Sequence, residues 1–192
     1  MGRPKQFDPD VAVATAMDLF WRNGYGATTP AELVDALGIG KGSLYNTFEN
    51  KHALFEQALR RYGDERVANL VETLGRPGSV RARLQAALER LAAPERAKLR
   101  RRGCLAVNTA TEFGEADATT MAIVQGVFER MERALQATIE EGQRNGELDA
   151  QRDAKAMASL LLTTILGMTV IGKISAKPER LLRVVRAAMS IL

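Results

Sequence analysis

One spacing runs through almost the whole chain: apolar side chains recur at intervals of three and four residues, the period of one face of an α-helix. In residues 8–23, Val13, Ala16, Met17 and Phe20 form the first such stripe, and Gly24 follows Asn23 as a stop. A second helix starts after Thr28 or Thr29 as N-cap, with Pro30 in its first turn and Leu33, Val34 and Leu37 facing inward. Gly38-Ile39-Gly40 breaks it, and Leu44 and Phe48 then lie one turn apart on a short helix, Lys41 to Thr47. Asn50 caps a fourth helix whose stripe of Leu54, Phe55, Ala58, Leu59 and Tyr62 continues to about Leu74. Gly75-Arg76-Pro77-Gly78 is a loop.

The same period resumes beyond that loop. Ser79 caps a helix carrying Val80, Leu84, Ala87, Leu88 and Leu91, and Pro94 ends it or starts the next element. Residues 103–113 form another helix, and residues 117–145 place Met121, Val124, Phe128, Met131 and Leu135 on one face with Ile123 and Val127 on a second. From Ala156 to Gly172 no residue is charged. At 17 positions, interrupted by Ser159, Thr163, Thr164, Thr169 and two glycines, the run is short for a membrane span and reads as a buried helix. The last helix lines up Leu181, Val184, Val185, Ala188 and Leu192 on one face and Arg180, Arg183 and Arg186 on another. An all-α chain is therefore expected.

Composition narrows the function classes. One His and one Cys among 192 residues exclude an intramolecular disulfide and offer little to an enzyme, which needs a nucleophile, base or metal cluster. No cofactor or metal is expected. Basic Met1–Asp8 has no apolar stretch behind it, so no signal peptide is expected and the cytoplasm is the expected location. A net charge of +4 invites a nucleic-acid reading, but residues 1–62 carry seven basic and seven acidic side chains, whereas residues 76–102 carry nine against two. Any DNA contact in the first third must come from placement, not bulk charge.

Placement is what the break at Gly38-Ile39-Gly40 supplies. Two short helices joined by a glycine turn make a helix-turn-helix, whose second helix enters the major groove. With Leu44 and Phe48 turned to the core, Lys41, Gly42, Ser43, Tyr45, Asn46 and Thr47 remain at or near the surface. Asn46 can pair with an adenine edge, Lys41 with guanine or phosphate, and Ser43 with either. Tyr45 offers a hydroxyl to phosphate, or it serves only as packing.

The run from Thr28 to Lys51, with Gly2-Arg3-Pro4 and Leu19-Phe20 followed by Gly24-Tyr25, resembles the signature of the TetR family of bacterial transcriptional regulators. The resemblance spans roughly residues 3–62. It implies a homodimer of about nine helices per subunit: a helix-turn-helix domain over residues 1–50, a connecting helix over 51–74 and an effector-binding and dimerisation domain over 75–192. It further implies DNA contacts from Arg3 and Lys5 in a basic arm, Thr28 and Thr29, Lys41, Ser43, Tyr45 and Asn46, and Lys51. The last two helices would pack against the partner, through Leu161, Ile165, Met168, Leu181, Val184, Val185 and Ala188. The implied partners are double-stranded DNA with a near-palindromic operator and a small-molecule or electrophilic effector, with no membrane. Gly40 departs from the family pattern, where many members have a capping Ser or Thr.

Three features have more than one reading. Cys104, after Arg100-Arg101-Arg102-Gly103 and near a helix start, is placed where a thiol pKa falls, as a redox or electrophile sensor requires, or it is a small buried filler. Asn108, Thr111 and Glu112, with Cys104, Phe128 and Met168, are candidate linings of an effector pocket, or a surface stripe. Arg96 to Arg102 is a solvated loop, a phosphate contact, or a field acting on Cys104 or an anionic effector. His52 reads as a solvent-exposed first-turn residue, without the neighbours a metal site needs. An effector-independent DNA-binding protein is the rival to a regulated one.

Overall fold

The computed structural model describes residues 8–93, 97–174 and 177–192. Among them nine helices have eight residues or more: α1 (Pro9–Asn23), α2 (Pro30–Leu37), α3 (Lys41–Phe48), α4 (Lys51–Leu74), α5 (Val80–Ala92), α7 (Leu105–Phe113), α8 (Ala118–Arg144), α9 (Ala154–Ile174) and α10 (Pro178–Ser190). A six-residue α6 (Ala97–Arg102) and a 3-10 turn (Gly114–Ala116) complete the described elements, and no strand is among them. The all-α expectation holds.

The helix starts follow local chemistry. Asp8, Thr29, Asn50, Ser79 and Asp117 each accept a backbone N–H of the turn that follows, satisfying donors the helix itself cannot. Thr29 closes a full capping box with Glu32. At the end of α2, Gly38 is left-handed (φ 63°), a conformation a side chain resists, which is why the turn into α3 begins on glycine. Gly40 caps α3 in an ordinary extended conformation without a side-chain bond.

Two cores share α4. The first gathers Ala12, Val13, Ala16 and Phe20 of α1, Leu33 of α2, Leu44 and Phe48 of α3, and Leu54, Phe55, Ala58, Leu59 and Tyr62 of α4. Cys104, Leu105, Ala106, Ile123 and Val124 close it from α7 and α8, so packing crosses the boundary expected near residue 75. The second core holds Leu70 and Leu74 with the inner faces of α5, α8, α9 and α10. Helix α9 is apolar and long enough to cross a membrane by length and composition, yet its face of Ala158, Leu161, Leu162, Ile165 and Met168 is buried in this second core.

That burial corrects the expected dimer face. Leu161, Ile165, Met168, Leu181, Val185 and Ala188 all pack inside their own chain, and of the seven only Val184 faces outward. The outward stripe of α9 lies one residue earlier: Ala156, Leu160, Thr163, Gly167, Val170 and Ile174, spaced by four and three. A run that is apolar on both sides gives no signal about which side the core takes.

Gly63 sits where α4 crosses α8, and a Cβ there would fall inside the van der Waals radius of Val127 Cγ2. Gly126, in the interior of α8, has open space around it. Gly63→Ala should destabilise the fold by about 1–3 kcal/mol, lowering the melting temperature by several degrees, while Gly126→Ala should stabilise it by up to about 1 kcal/mol through helix propensity. Thermal denaturation of both variants checks this, and equal shifts would remove the close crossing.

Candidate nucleic-acid interface

Helix α3 is held by two buried side chains, Leu44 and Phe48, and everything between them on the other side faces out. Lys41, Gly42, Ser43, Asn46 and Thr47 are exposed, and Tyr45 is half-buried against the first core. The side chains of Lys41, Ser43 and Asn46 make no hydrogen bond or ion pair with other described residues. A short helix carrying unspent polar groups on a convex surface is what base-edge readout needs.

The other expected contacts fare differently. Thr28 is buried and its hydroxyl donates to Gly24 O at 2.6 Å, so it stabilises the α1–α2 turn and is not available to DNA. Thr29 is exposed, but its hydroxyl donates to Glu32 Oε2 at 2.9 Å and accepts from Glu32 N at 3.2 Å. Lys51, at the start of α4, is half-buried with its ammonium 4.1 Å from the centre of the Tyr25 ring. This partial burial lowers its pKa, while the Glu112 and Glu32 carboxylates pull it back up. Arg3 and Lys5 lie outside the described residues, as does Arg96.

Behind this surface, the second domain grips the first. Phe113, at the end of α7, enters an aromatic cluster of the DNA-binding side, 5.5 Å from Phe55 and stacked on it, and 5.0 Å from Tyr25. Phe20 packs edge-on against Phe55 at 5.0 Å. The neighbouring Glu112 carboxylate accepts the backbone N–H groups of Tyr25 (3.0 Å) and Gly26 (2.6 Å). His52 is only partly exposed and not free, contrary to expectation: its Nε2 lies 2.9 Å from Asp117 Oδ2 and 3.4 Å from Glu56 Oε1. On the far side of α1, Arg102 Nη1 meets Asp18 Oδ1 at 2.5 Å, and Trp21 Nε1 donates to Gly103 O at 3.2 Å.

The expected effector pocket is largely displaced. Glu112 is a brace between domains, and Thr111 is exposed with its hydroxyl turned back to Asn108 O. Asn108 donates to Arg102 O and accepts from Lys173 Nζ. Phe128 packs between the two cores, and Cys104 is buried in the first, 6% exposed, which denies it the solvent access a sensor thiol requires in this conformation. Met168 lines the smaller of the two cavities described next.

Two small cavities adjoin along α4. One, of about 50 Å³, is lined by Arg66, Asn69, Leu70, Thr73, Ala87, Arg90, Leu91, Met131 and Ile165. The other, of about 30 Å³, lies among Trp21, Arg66, Leu91, Leu99, Arg100, Gly103, Met168 and Thr169. Sequence reasoning missed Arg66 and Arg90, although a signal existed: Arg66 falls between Tyr62 and Leu70 on the buried stripe of α4, where a cation is out of pattern. Among the described residues no group of three or more His, Cys, Asp or Glu is placed to hold a metal ion.

Residues 12–58 match the family model of bacterial regulatory proteins of the tetR family, and residues 81–188 match that of the tetracyclin repressor-like C-terminal domain. The chain belongs to the TetR family. This TetR-family chain is 32% identical over 197 residues to the HTH-type transcriptional regulator YezE of Bacillus subtilis (strain 168), covering all of both proteins. It is also 32% identical to the HTH-type transcriptional repressor ComR of Escherichia coli (strain K12), over 95% of this chain and 88% of that protein. A cysteine-substituted variant of the TetR-family regulator CifR, complexed with 26-bp double-strand operator DNA, superimposes with a TM-score of 0.83 at 30% identity, covering 98% of each chain. The chain is a DNA-binding transcriptional regulator of this family, and its family models and relatives are regulators, not enzymes.

Asp117 caps α8 through Thr119 N and Thr120 N and also faces His52. The Thr120 N–H and hydroxyl, and then His52, hold its carboxyl below the ordinary aspartate value. A lowered carboxyl stabilises the fold fully above its unfolded value of about 4 and loses that contribution as the pH falls through the folded value. The melting temperature of the native protein should therefore fall more steeply from pH 5 to pH 3 than that of Asp117→Asn. Parallel curves would remove Asp117 from the acid response.

Proposed function

We propose that the chain is the subunit of a homodimeric repressor that holds a near-palindromic operator through two copies of α3 and releases it when an effector occupies the cavities along α4. The observation that carries this reading is the outward face of α3, where Lys41, Ser43 and Asn46 are exposed and unspent. Tyr45 and Lys51 flank that face, and Thr29 stands at the start of α2. The complex of CifR with operator DNA and the repressor name of ComR favour the same role. Acting on chromosomal DNA places the protein in the cytoplasm.

The partner copy covers the outward stripe of α9 and the neighbouring Val184 and Ile191. Leu160 is 44% exposed, Val170 47% and Ile174 79%, an apolar face without a single charge between Ala156 and Gly172. Pairing two such stripes, with Gly167 at the centre, allows close approach of helices and sets the two α3 helices on one side of the DNA.

Release follows from the shared helix. An effector wedged beside Arg66 favours a state in which α4 tilts, and α4 carries the first core with it. A coupling of about 1–3 kcal/mol changes operator occupancy roughly 5- to 150-fold. An effector-independent protein lacks any such response, and a screen of small molecules against operator binding separates the two.

Recovery of bound genomic fragments supplies the operator. On it, Asn46→Ala should cost about 1–3 kcal/mol and relax the preference at one base position, whereas Lys51→Ala should weaken all sequences alike and reduce the salt dependence. Unchanged affinity and selectivity in Asn46→Ala would remove α3 as the reading helix. Leu160→Glu should convert the dimer to a monomer in sedimentation and abolish tight operator binding, because one half-site gives only the weaker contact. A Leu160→Glu protein that stays dimeric would move the interface elsewhere.

A further inference from the structure

The chemistry of the cavity walls narrows the effector. Three arginines, Arg66, Arg90 and Arg100, line the two adjoining cavities, and among the described residues no Asp or Glu lines either of them. Arg90 donates to the neutral Thr73 Oγ1 at 2.7 Å and Asn69 Oδ1 at 3.2 Å, and Arg100 donates to Ala93 O at 2.7 Å. Arg66 stands 5.6 Å from the centre of the Tyr62 ring and forms no ion pair or hydrogen bond with other described residues. Among the described residues none of the three meets a carboxylate, whereas Arg83, one helix turn from the cavity, is paired with Glu141 and Arg102 with Asp18. Partly buried guanidinium groups without a counter-ion call for an anion from outside.

Beside the neutral polar Asn69, Thr73 and Thr169, most of the lining is apolar, with Leu70, Ala87, Leu91, Met131, Ile165 and Met168. A water molecule needs about 10–15 Å³ of such space, so the two cavities together admit about five to eight non-hydrogen atoms. Arg66 and Leu91 belong to both, so a single molecule can lie across them, its charged end on Arg66.

We infer that the effector is a compact monoanion with an apolar body, a short-chain carboxylate of about three to six carbons, held by Arg66 between Arg90 and Arg100. The inference rests on the effector-controlled reading above and adds the ligand's chemical class. It also explains how occupancy reaches the DNA side. Trp21 of α1 lines the smaller cavity and is tied to Gly103, so the ligand touches the DNA-binding domain directly.

Trp21 is the one tryptophan of the chain, which makes its fluorescence a reporter of the site. Full-length protein is titrated with sodium propionate, butyrate, valerate, hexanoate and decanoate, and with 1-butanol and butylamine at matched ionic strength. Fluorescence and operator-fragment anisotropy are read in parallel. Saturable quenching or enhancement by the three- to six-carbon acids is expected, at least tenfold tighter than by the alcohol or amine and lost with decanoate. Arg66→Met should weaken it at least tenfold and Arg66→Lys less, both with unchanged circular dichroism. If Arg66→Met fails to fold, the acid-against-alcohol comparison on the native chain decides alone. Equal binding of butanol and butyrate, or no saturable response to any acid, overturns the proposal. Normal operator binding in that case leaves the regulator reading standing. Acid binding without any operator binding overturns the regulator reading and leaves the ligand class.

Discussion

Both cores are built on one unbroken helix. The first half of α4, from Leu54 to Tyr62, is buried with α1, α2 and α3, and the second, at Leu70 and Leu74, with α5, α8 and α9. At 24 residues it is about 36 Å long and holds no proline to kink it. A displacement at one end is therefore expressed at the other. Gly63, midway, lets α8 approach closely enough to clamp the rod where the two cores meet.

The contacts around that rod differ in weight. Exposed ion pairs such as Arg130 with Asp64 contribute about 0–1 kcal/mol each. Aromatic pairs add about 0.5–1.5 kcal/mol beyond the area they bury, and Phe113 makes two of them inside the DNA-binding core. The docking of the domains is thus decided by Phe113 and the face of α8, while Glu112 on the α1–α2 turn, Asp18 with Arg102, and Trp21 with Gly103 orient it. In the proposed switch, a coupling of about 1–3 kcal/mol is of the size of one or two of these braces.

The surplus positive charge at residues 76–102 finds an interior use. Arg83 pairs with Glu141 and Leu74 O, Arg90 and Arg100 line the cavities, and Arg102 crosses to α1. None of these is placed with Lys41 and Asn46, so the basic net charge and the DNA face have separate causes. Within Arg96 to Arg102, read from the sequence as a solvated loop, a phosphate contact or a field on Cys104 or an anionic effector, the structure places Arg100 in a cavity wall and Arg102 on Asp18, a link between domains that none of those readings included.

Helix boundaries and the exposed polar face of α3 were legible because they depend on neighbours in the chain. Caps act over three residues, glycine stops act on their own backbone, and a stripe such as Leu44 and Phe48 leaves its complement exposed whatever else the chain does. Thr28 was misassigned because a threonine before a helix looks the same whether its hydroxyl meets phosphate or Gly24 O. The outward face of α9 and the lining of the cavities were not legible. On α9 both Leu160 and Leu161 are apolar, and only the position of α8 and α10 decides which is buried. The cavity draws Trp21, Arg66, Arg90 and Arg100 from four helices far apart in sequence, and Glu112 became a brace only when α7 met the α1–α2 turn. The sequence by itself determined the helices and which side of α3 stays exposed, since those are short-range consequences of periodicity and capping. Tertiary structure alone decided which apolar face is buried, which cations line the cavities and which carboxylate braces the α1–α2 turn, because packing between distant helices has no local signature.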